Sequence, residues 1–197
     1  AFCNGGGFGL HAAKAGARKV LCVDASQRAV DMATEHVSRN GLEQVDVMRA
    51  DAVHVLRDIA DGIVGPDEGR PDLIVLDPPK FATRAGVVED ALAKYVHLNS
   101  VAMEALADGG LLVSCSCSGR IGETEFLRAI AHAAGRAGRH VQLLSMHGPG
   151  ADHATAPAHA EGRYLKVAIC RVRHPAEGVA ESAAKPAASV PWSPLED

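Results

Sequence analysis

With 197 residues, the chain is long enough for one α/β domain with a sizeable core and too short for two comfortable ones. Hydrophobic residues make up 47% of it, yet no apolar run reaches bilayer length, so the composition argues for a globular domain and against a membrane span. A formal net charge of -4 runs against the basic footprint of a phosphate-gripping protein. It confines any nucleic-acid contact to a local cluster such as Lys80, Arg84, Lys94, Arg120, Arg163 and Lys166, or to a segment outside this chain.

Ala1-Phe2-Cys3-Asn4 leads straight into Gly5-Gly6-Gly7-Phe8-Gly9, so a strand stump precedes a glycine-rich turn and the chain is expected to start inside its domain. From there, short apolar or β-branched runs alternate with longer helical patterns, which predicts an α/β fold: a parallel sheet covered by helices on both faces. Strands are expected over 19–24, 44–49, 72–77, 110–116, 140–146 and 164–172, and helices over 8–15, 26–40, 52–60, 89–107 and 123–137. The second helix carries Val30, Ala33 and Val37 at helical spacing, with Ser26 as N-cap and Gly41 where a C-cap glycine belongs. Residues 61–71 read as a connection rich in Gly, Pro and Asp. No helical pattern separates the last two strands, because 147–163 is full of Gly, Pro, His and Ala. A hairpin-like return is therefore expected, with the final strand antiparallel at the sheet edge. The ordered domain is expected to span 1–174, and 175–197, without apolar periodicity, to be a disordered tail.

Counting the stump as the first strand, Gly5, Gly6 and Gly7 lie at its carboxyl end, where a ligand approaches the backbone of an open α/β sheet. Asp24 closes the second strand, in position to accept hydrogen bonds from ribose hydroxyls, and Asp51 follows the third, in position to meet an adenine edge. Each acid on its own reads better as a helix cap. The order of the three features favours a nucleoside site. Asp77-Pro78-Pro79-Lys80-Phe81 closes the fourth strand, and two prolines hold the backbone extended, so that Asp77 is aimed into the cleft to bond the polar edge of a flat substrate.

Cysteines stand at Cys3, Cys22, Cys115, Cys117 and Cys170, an odd number without a Cys-x-x-Cys pair or a signal peptide, which points to a reducing cytoplasm. Cys115 and Cys117 share a strand face, but no second Cys or His pair completes a metal site, so no metal is expected. Cys22, Cys115 and Cys170 read as core residues. Cys117, at the strand end beside Ser118-Gly119, reads as an accessible nucleophile.

Gly6-Gly7-Phe8, Val23-Asp24-Ala25-Ser26, Asp77-Pro78-Pro79-Lys80-Phe81, Ser116-Cys117-Ser118-Gly119, Asp152-His153 and Glu161-Gly162-Arg163-Tyr164-Leu165-Lys166 together resemble the RlmI-like family of bacterial large-subunit ribosomal RNA cytosine-5-methyltransferases, within the class I methyltransferases. The resemblance runs over 2–172. It implies a Rossmann-like, mostly parallel seven-stranded sheet, with S-adenosylmethionine in a pocket lined by Gly5, Gly6, Gly7, Asp24, Asp51 and Asp77. It further implies Cys117 as catalytic cysteine, large-subunit ribosomal RNA as partner, and an N-terminal RNA-binding domain of the PUA type that this chain lacks. Homo-oligomerisation is left open. Asn4-Gly5 stands where the family usually has Tyr-Thr, and Ala154 follows Asp152-His153 where a proline is common, which leaves the ribosomal target and the local loop open.

The residues suit that chemistry. Carbon 5 of cytosine is too weak a nucleophile to take a methyl group until a thiolate has added at carbon 6. Cys117 is the candidate thiolate, with Lys80 or the cofactor's sulfonium favouring its ionisation, and Asp77 the candidate for stabilising charge on the ring. An extruded base is expected to meet Pro78, Pro79, Lys80, Phe81 and Tyr164, with Phe81 or Tyr164 stacking on it. Three alternatives stay open: an amino-group methyltransferase acting on guanine or adenine, which needs no cysteine; a non-catalytic RNA-binding module; and a nicotinamide-dependent oxidoreductase, disfavoured by the glycine spacing.

Overall fold

The computed structural model describes residues 1–63, 69–82, 88–153, 156, 162 and 164–175, so Arg84, Ala154, Glu161, Arg163 and the expected tail from 176 onward lie outside the described residues. In chain order the elements are α1 (Gly7–Lys14), β1 (Val20–Asp24), α2 (Gln27–Asn40), β2 (Val45–Arg49), α3 (Ala52–Ala60), β3 (Leu73–Leu76), α4 (Val88–Ala105), β4 (Leu111–Ser116), α5 (Glu123–Arg136), β5 (His140–His147) and β6 (Lys166–Arg173). Each expected element is present, its ends within two residues of the expected ones. Local chemistry explains the sharpest boundaries. Ser26 Oγ accepts from Ala29 N at 3.4 Å to cap α2, and Gly41 ends that helix in the left-handed region at φ 63°, where glycine carries no Cβ penalty.

The strands form two groups. β1 and β2 pair in parallel, and β3 pairs in parallel with β4, which continues through antiparallel β6 to β5, a strand antiparallel to β6 and so running in the direction of β4. Residues 1–3 lie between the groups. Ala1 N donates to Val75 O at 2.8 Å, Asp77 N donates to Ala1 O at 3.4 Å, and Cys3 N donates to Val23 O at 3.0 Å. The spatial order is therefore β2, β1, the 1–3 segment, β3, β4, β6, β5.

Two expectations need correction here. The sheet is described as six strands in a two-stranded and a four-stranded group, not as seven, because the 1–3 segment makes too few rungs to count as a strand. The antiparallel strand is not at the edge. β6 returns from β5 and inserts beside β4, leaving β5 as the edge, since a hairpin partner pairs on whichever side keeps its apolar alternation covered. The alternation of buried Lys166, Ala168, Cys170 and Val172 along β6 shows that burial.

Successive residues of a strand point to opposite faces, and β1 shows which helices cover each. Cys22 packs with Ala13, Leu42 and Val45, under α1 and α2. Val23 joins the larger core of Val55, Leu56, Leu76, Tyr95, Leu106, Leu112 and Phe126, supplied by α3, α4, α5 and the four-stranded group. Helices thus lie on both faces, as the alternating pattern predicts.

Candidate functional site

Because β1 to β4 run parallel, their carboxyl ends, carrying Asp24, Arg49-Ala50-Asp51, Asp77 and Cys117, emerge along one edge of the sheet. The start of antiparallel β6 lies at the same edge, with Lys166 opposite Ser116 in the ladder.

The glycine turn is built by close approach. A Cβ on Gly6, which sits at φ 82°, would come within 2.7 Å of Leu10 Cδ1, and one on Gly5 within 3.1 Å of Met32 Cε. Gly5 O accepts from His36 Nδ1 at 2.8 Å, tying the turn to α2. Gly7 differs, since no atom lies within 4 Å of where its Cβ would stand, which leaves the space beside the first turn of α1 open. Gly9, not singled out from the sequence, carries a packing role instead: a Cβ there would collide with Cys22 Sγ at 2.3 Å.

Asp24 braces the same turn, its Oδ2 accepting from Asn4 N and its Oδ1 from Ser26 N, both at 2.9 Å. Each oxygen keeps a further lone pair for an outside donor. Beside it lies an open depression of about 360 Å³ lined by Asn4, Asp24, Ser26, Arg28, Ala29 and Met32. Asp51 is exposed and caps α3, accepting from His54 N at 3.0 Å. The helix-cap reading of Asp51 therefore holds as geometry, and Asp51 is not among the residues lining that depression.

On the other side of the 1–3 segment, the turn after β3 meets the turn after β4. Pro78 is buried, while Asp77, Pro79 and Lys80 are exposed and Cys117 is half-buried. The Cys117 thiol donates to Pro78 O at 3.8 Å, so the structure brings the cysteine onto the Asp77–Phe81 turn. Partial burial pushes the Asp77 carboxyl above the ordinary carboxylate range. The Phe81 ring packs 4.9 Å from Tyr95, and Lys94 Nζ sits 5.9 Å from the Phe81 centroid, so this ring is partly committed to the core. Tyr164 is exposed, its ring edge-on to His153 at 5.7 Å, and its Cβ lies 3.5 Å from the place of a Cβ on Gly119. That puts an accessible aromatic beside the residue two after Cys117.

Cys3 is half-buried, whereas the three remaining thiols are core groups. Cys22, Cys115 and Cys170 are 1–3% exposed, and burial pushes the Cys115 thiol up to about 12 and the Cys170 thiol up to about 11.

A polar network beneath Cys117 escaped sequence reasoning. Ser118 is fully buried, and its Oγ accepts from Ala82 N at 3.3 Å and shares a hydrogen bond with Tyr95 OH at 3.3 Å. Lys166, counted from the sequence among surface cations, is instead buried at 7% exposure, and its Nζ donates to Ser118 O at 2.7 Å and Ile121 O at 2.5 Å. It belongs to no basic patch. The signal was available: Lys166 falls in the same period-two register as inward-facing Ala168, Cys170 and Val172. Among the described residues no group of three His, Cys, Asp or Glu side chains is gathered to hold a metal ion, and no helix is long and apolar enough to cross a membrane.

The element order and the arrangement of the strand ends are those of a class I methyltransferase fold, and solved structures show the same likeness. SMU.776, described as a methyltransferase and complexed with SAH, superposes with a TM-score of 0.73 at 22% identity over 86% of this chain and 43% of its own. TrmN from Thermus thermophilus does so with a TM-score of 0.59 at 21% identity, over 86% of this chain and 42% of its own. No family model matches the chain.

Sequence relatives are more specific. Curated proteins named Ribosomal RNA large subunit methyltransferase I match at 38% identity over 174 residues in Aeromonas hydrophila, 39% over 175 residues in Photobacterium profundum and 39% over 172 residues in Vibrio cholerae. These alignments cover 85–87% of this chain and 42–43% of each relative, so the chain spans somewhat less than half the length of the curated relatives it matches. Over most of its length the chain is thus similar to proteins named Ribosomal RNA large subunit methyltransferase I, in line with the resemblance read from its motifs.

Proposed function

We propose that the chain is the catalytic domain of an S-adenosylmethionine-dependent methyltransferase that forms 5-methylcytosine in large-subunit ribosomal RNA through a covalent adduct on Cys117. The observation that carries this reading is the meeting of Cys117 with the Pro78 carbonyl at 3.8 Å, which sets a half-buried thiol beside Asp77 at one end of the sheet. The names of the curated relatives support the RNA substrate.

The residues fit the cofactor. The open space at Gly7, the spare lone pairs of Asp24 and the depression of about 360 Å³ beside them suit a nucleoside whose ribose hydroxyls bond Asp24. Gly5 and Gly6 bring the backbone close, and Asp51 stands within the same row of strand ends for the adenine side. S-adenosylmethionine, when bound, supplies the methyl group as an electrophile.

On the substrate, the Cys117 thiolate adds to carbon 6 of cytosine, forming an Sγ–C6 bond and sending the ring electron pair to carbon 5. Asp77, protonated or through a bridging water, bonds the polar edge of the ring and stabilises the charge gathered there. Carbon 5 takes the methyl group and then loses its proton to a base. The electrons of that C–H bond restore the ring double bond as Sγ–C6 breaks, and the thiolate returns. Pro78 and Pro79 hold the turn rigid, Lys80 faces the phosphate backbone, and Tyr164 stacks on the unstacked base; Phe81 backs the turn through Tyr95.

RNA carrying 5-fluorocytosine at the target is expected to be methylated and then trapped, because fluorine does not leave as a proton does. The adduct, seen as a shifted band on denaturing electrophoresis, should need both S-adenosylmethionine and Cys117. Because the chain spans less than half of its relatives, the assay belongs in a full-length protein carrying it. No adduct from that protein, or full turnover by Cys117→Ala, overturns the reading and leaves amino-group methylation as the stronger one.

A further inference from the structure

A cysteine that adds to a pyrimidine must ionise near neutral pH, and a thiol's ordinary value of about 8.5 leaves most of it protonated unless positive charge stands nearby. The titratable groups that bear on Cys117 are Cys115 on β4, Tyr95 on α4 and Lys166 on β6, while Asp77 adjoins the Pro78 carbonyl that the thiol meets and Glu125 on α5 bears on Lys166. Lys80, on the turn whose Pro78 carbonyl the thiol meets, is exposed to solvent, where charge is screened. Lys166 is different in kind. It enters from β6 opposite Ser116, is 7% exposed, and among the described residues makes no salt bridge; its hydrogen bonds there go to backbone carbonyls of the turn that follows Cys117.

That turn is pinned from several directions. Ile121 N donates to Ser118 O at 3.1 Å, Ser118 Oγ is held by Ala82 N and Tyr95 OH, and Gly122 N donates to Glu125 Oε2 at 2.6 Å. A buried ammonium is costly unless something nearby favours its charge. Burial lowers the Lys166 ammonium below the ordinary lysine range, opposed first by Cys117 and then by Glu125, and the Ser118 and Ile121 carbonyls accept from it.

We infer that Lys166 is a positioning residue for Cys117: its buried ammonium ties down the 118–121 turn behind the thiol and supplies the positive charge that favours the thiolate. The inference rests on the reading of Cys117 as the nucleophile, but its consequence is a property of the thiol alone. Ionisation sends the Cys117 proton to solvent, and the Lys166 ammonium remains as the counter-charge.

The test needs no RNA. Iodoacetamide alkylation of the chain, followed across pH 6 to 10 by peptide mass spectrometry, reads the Cys117 thiolate as a thioether formed with loss of iodide. In Lys166→Met the Cys117 profile should move up by about one unit, a roughly tenfold slower alkylation at pH 7, and Lys166→Arg should restore much of the rate. Binding of S-adenosylhomocysteine, measured by calorimetry, should persist in both. An unmoved Cys117 profile in a Lys166→Met protein that still binds S-adenosylhomocysteine overturns the inference.

Should Lys166→Met fail to fold, the unsubstituted chain decides the matter, because coupling between two sites is reciprocal. Capping Cys117 with iodoacetamide should lower the titration midpoint of Lys166, followed by carbon-13 NMR of its ε-methylene, and an unchanged midpoint overturns the inference equally. The two readings fail separately. A Lys166-dependent thiol that forms no adduct with fluorinated RNA sinks the cytosine-5 mechanism alone, whereas an adduct on a Lys166-independent thiol sinks only the role given to Lys166.

Discussion

The part of the sheet made by β1 and β2 and the part made by β3, β4, β6 and β5 are held together by different means. The first has, on its α1 and α2 side, a small cluster of Ala13, Cys22, Leu42 and Val45, and its glycine turn is shaped by backbone: Gly6 in the left-handed region and the Asn4 and Ser26 amides gripping Asp24. The second encloses a large apolar core and, inside it, a hydrogen-bonded polar layer of Tyr95, Ser118 and Lys166 under the turn that carries Cys117. Binding a nucleoside needs an open, hydrated edge with bondable groups. Presenting a nucleophile needs a turn that does not move, and buried networks with their partners satisfied supply that rigidity.

The contrast is most severely tested by cutting into the denser part. Phe126 is fully buried and packs edge-on to Tyr95 at 5.3 Å, so Phe126→Ala should destabilise the protein by about 3 to 5 kcal/mol in urea unfolding. The folded fraction should still bind S-adenosylhomocysteine with unchanged affinity, and a parallel loss of affinity would mean that the two parts are not energetically distinct.

A smaller effect is expected from the open edge. Asp24→Ala should weaken S-adenosylmethionine binding by about 1.5 to 3 kcal/mol, the worth of a hydrogen bond to a charged group, or about 10- to 150-fold in Kd. Calorimetry giving an unchanged Kd would remove Asp24 from the cofactor site and leave it as a brace for the turn.

The smallest effect concerns Asp77 and pH. Burial raises the Asp77 carboxyl in the folded state, so its contribution to stability is fully present below the unfolded value and is lost as pH rises through the folded one. Asp77→Asn removes that titration. Relative to the unsubstituted protein, its melting temperature should be higher at pH 7 than at pH 4, and the opposite trend would show that Asp77 is stabilised as an anion.

Much of this was legible before any coordinates, and for identifiable reasons. Helix α2 was bounded correctly because Ser26 and Gly41 act locally, through a cap bond to Ala29 and a left-handed φ, and local chemistry is what a sequence displays. Asp77 and Cys117 were placed at neighbouring strand ends because parallel order follows from alternation. The position of β6 was not legible: its pairing with β4 joins residues fifty or more apart, such as Ser116 and Lys166, and no local signal encodes that choice. Lys166 was misread for another reason. A lysine is taken as exposed by default, and its register with Ala168 and Cys170 was outweighed by its charge.

The 1–3 segment has a metric consequence. Neighbouring strands stand about 4.8 Å apart, and this segment bonds to Val23 on one side and to Val75 and Asp77 on the other. The ends of β1 and β3 are thus two strand widths, about 10 Å, from each other. That gap acts as a ruler. On the proposed reading, a donor with its sugar at Asp24 delivers its methyl group to a ring at Asp77 only if its own length matches that span, a condition that strand spacing sets.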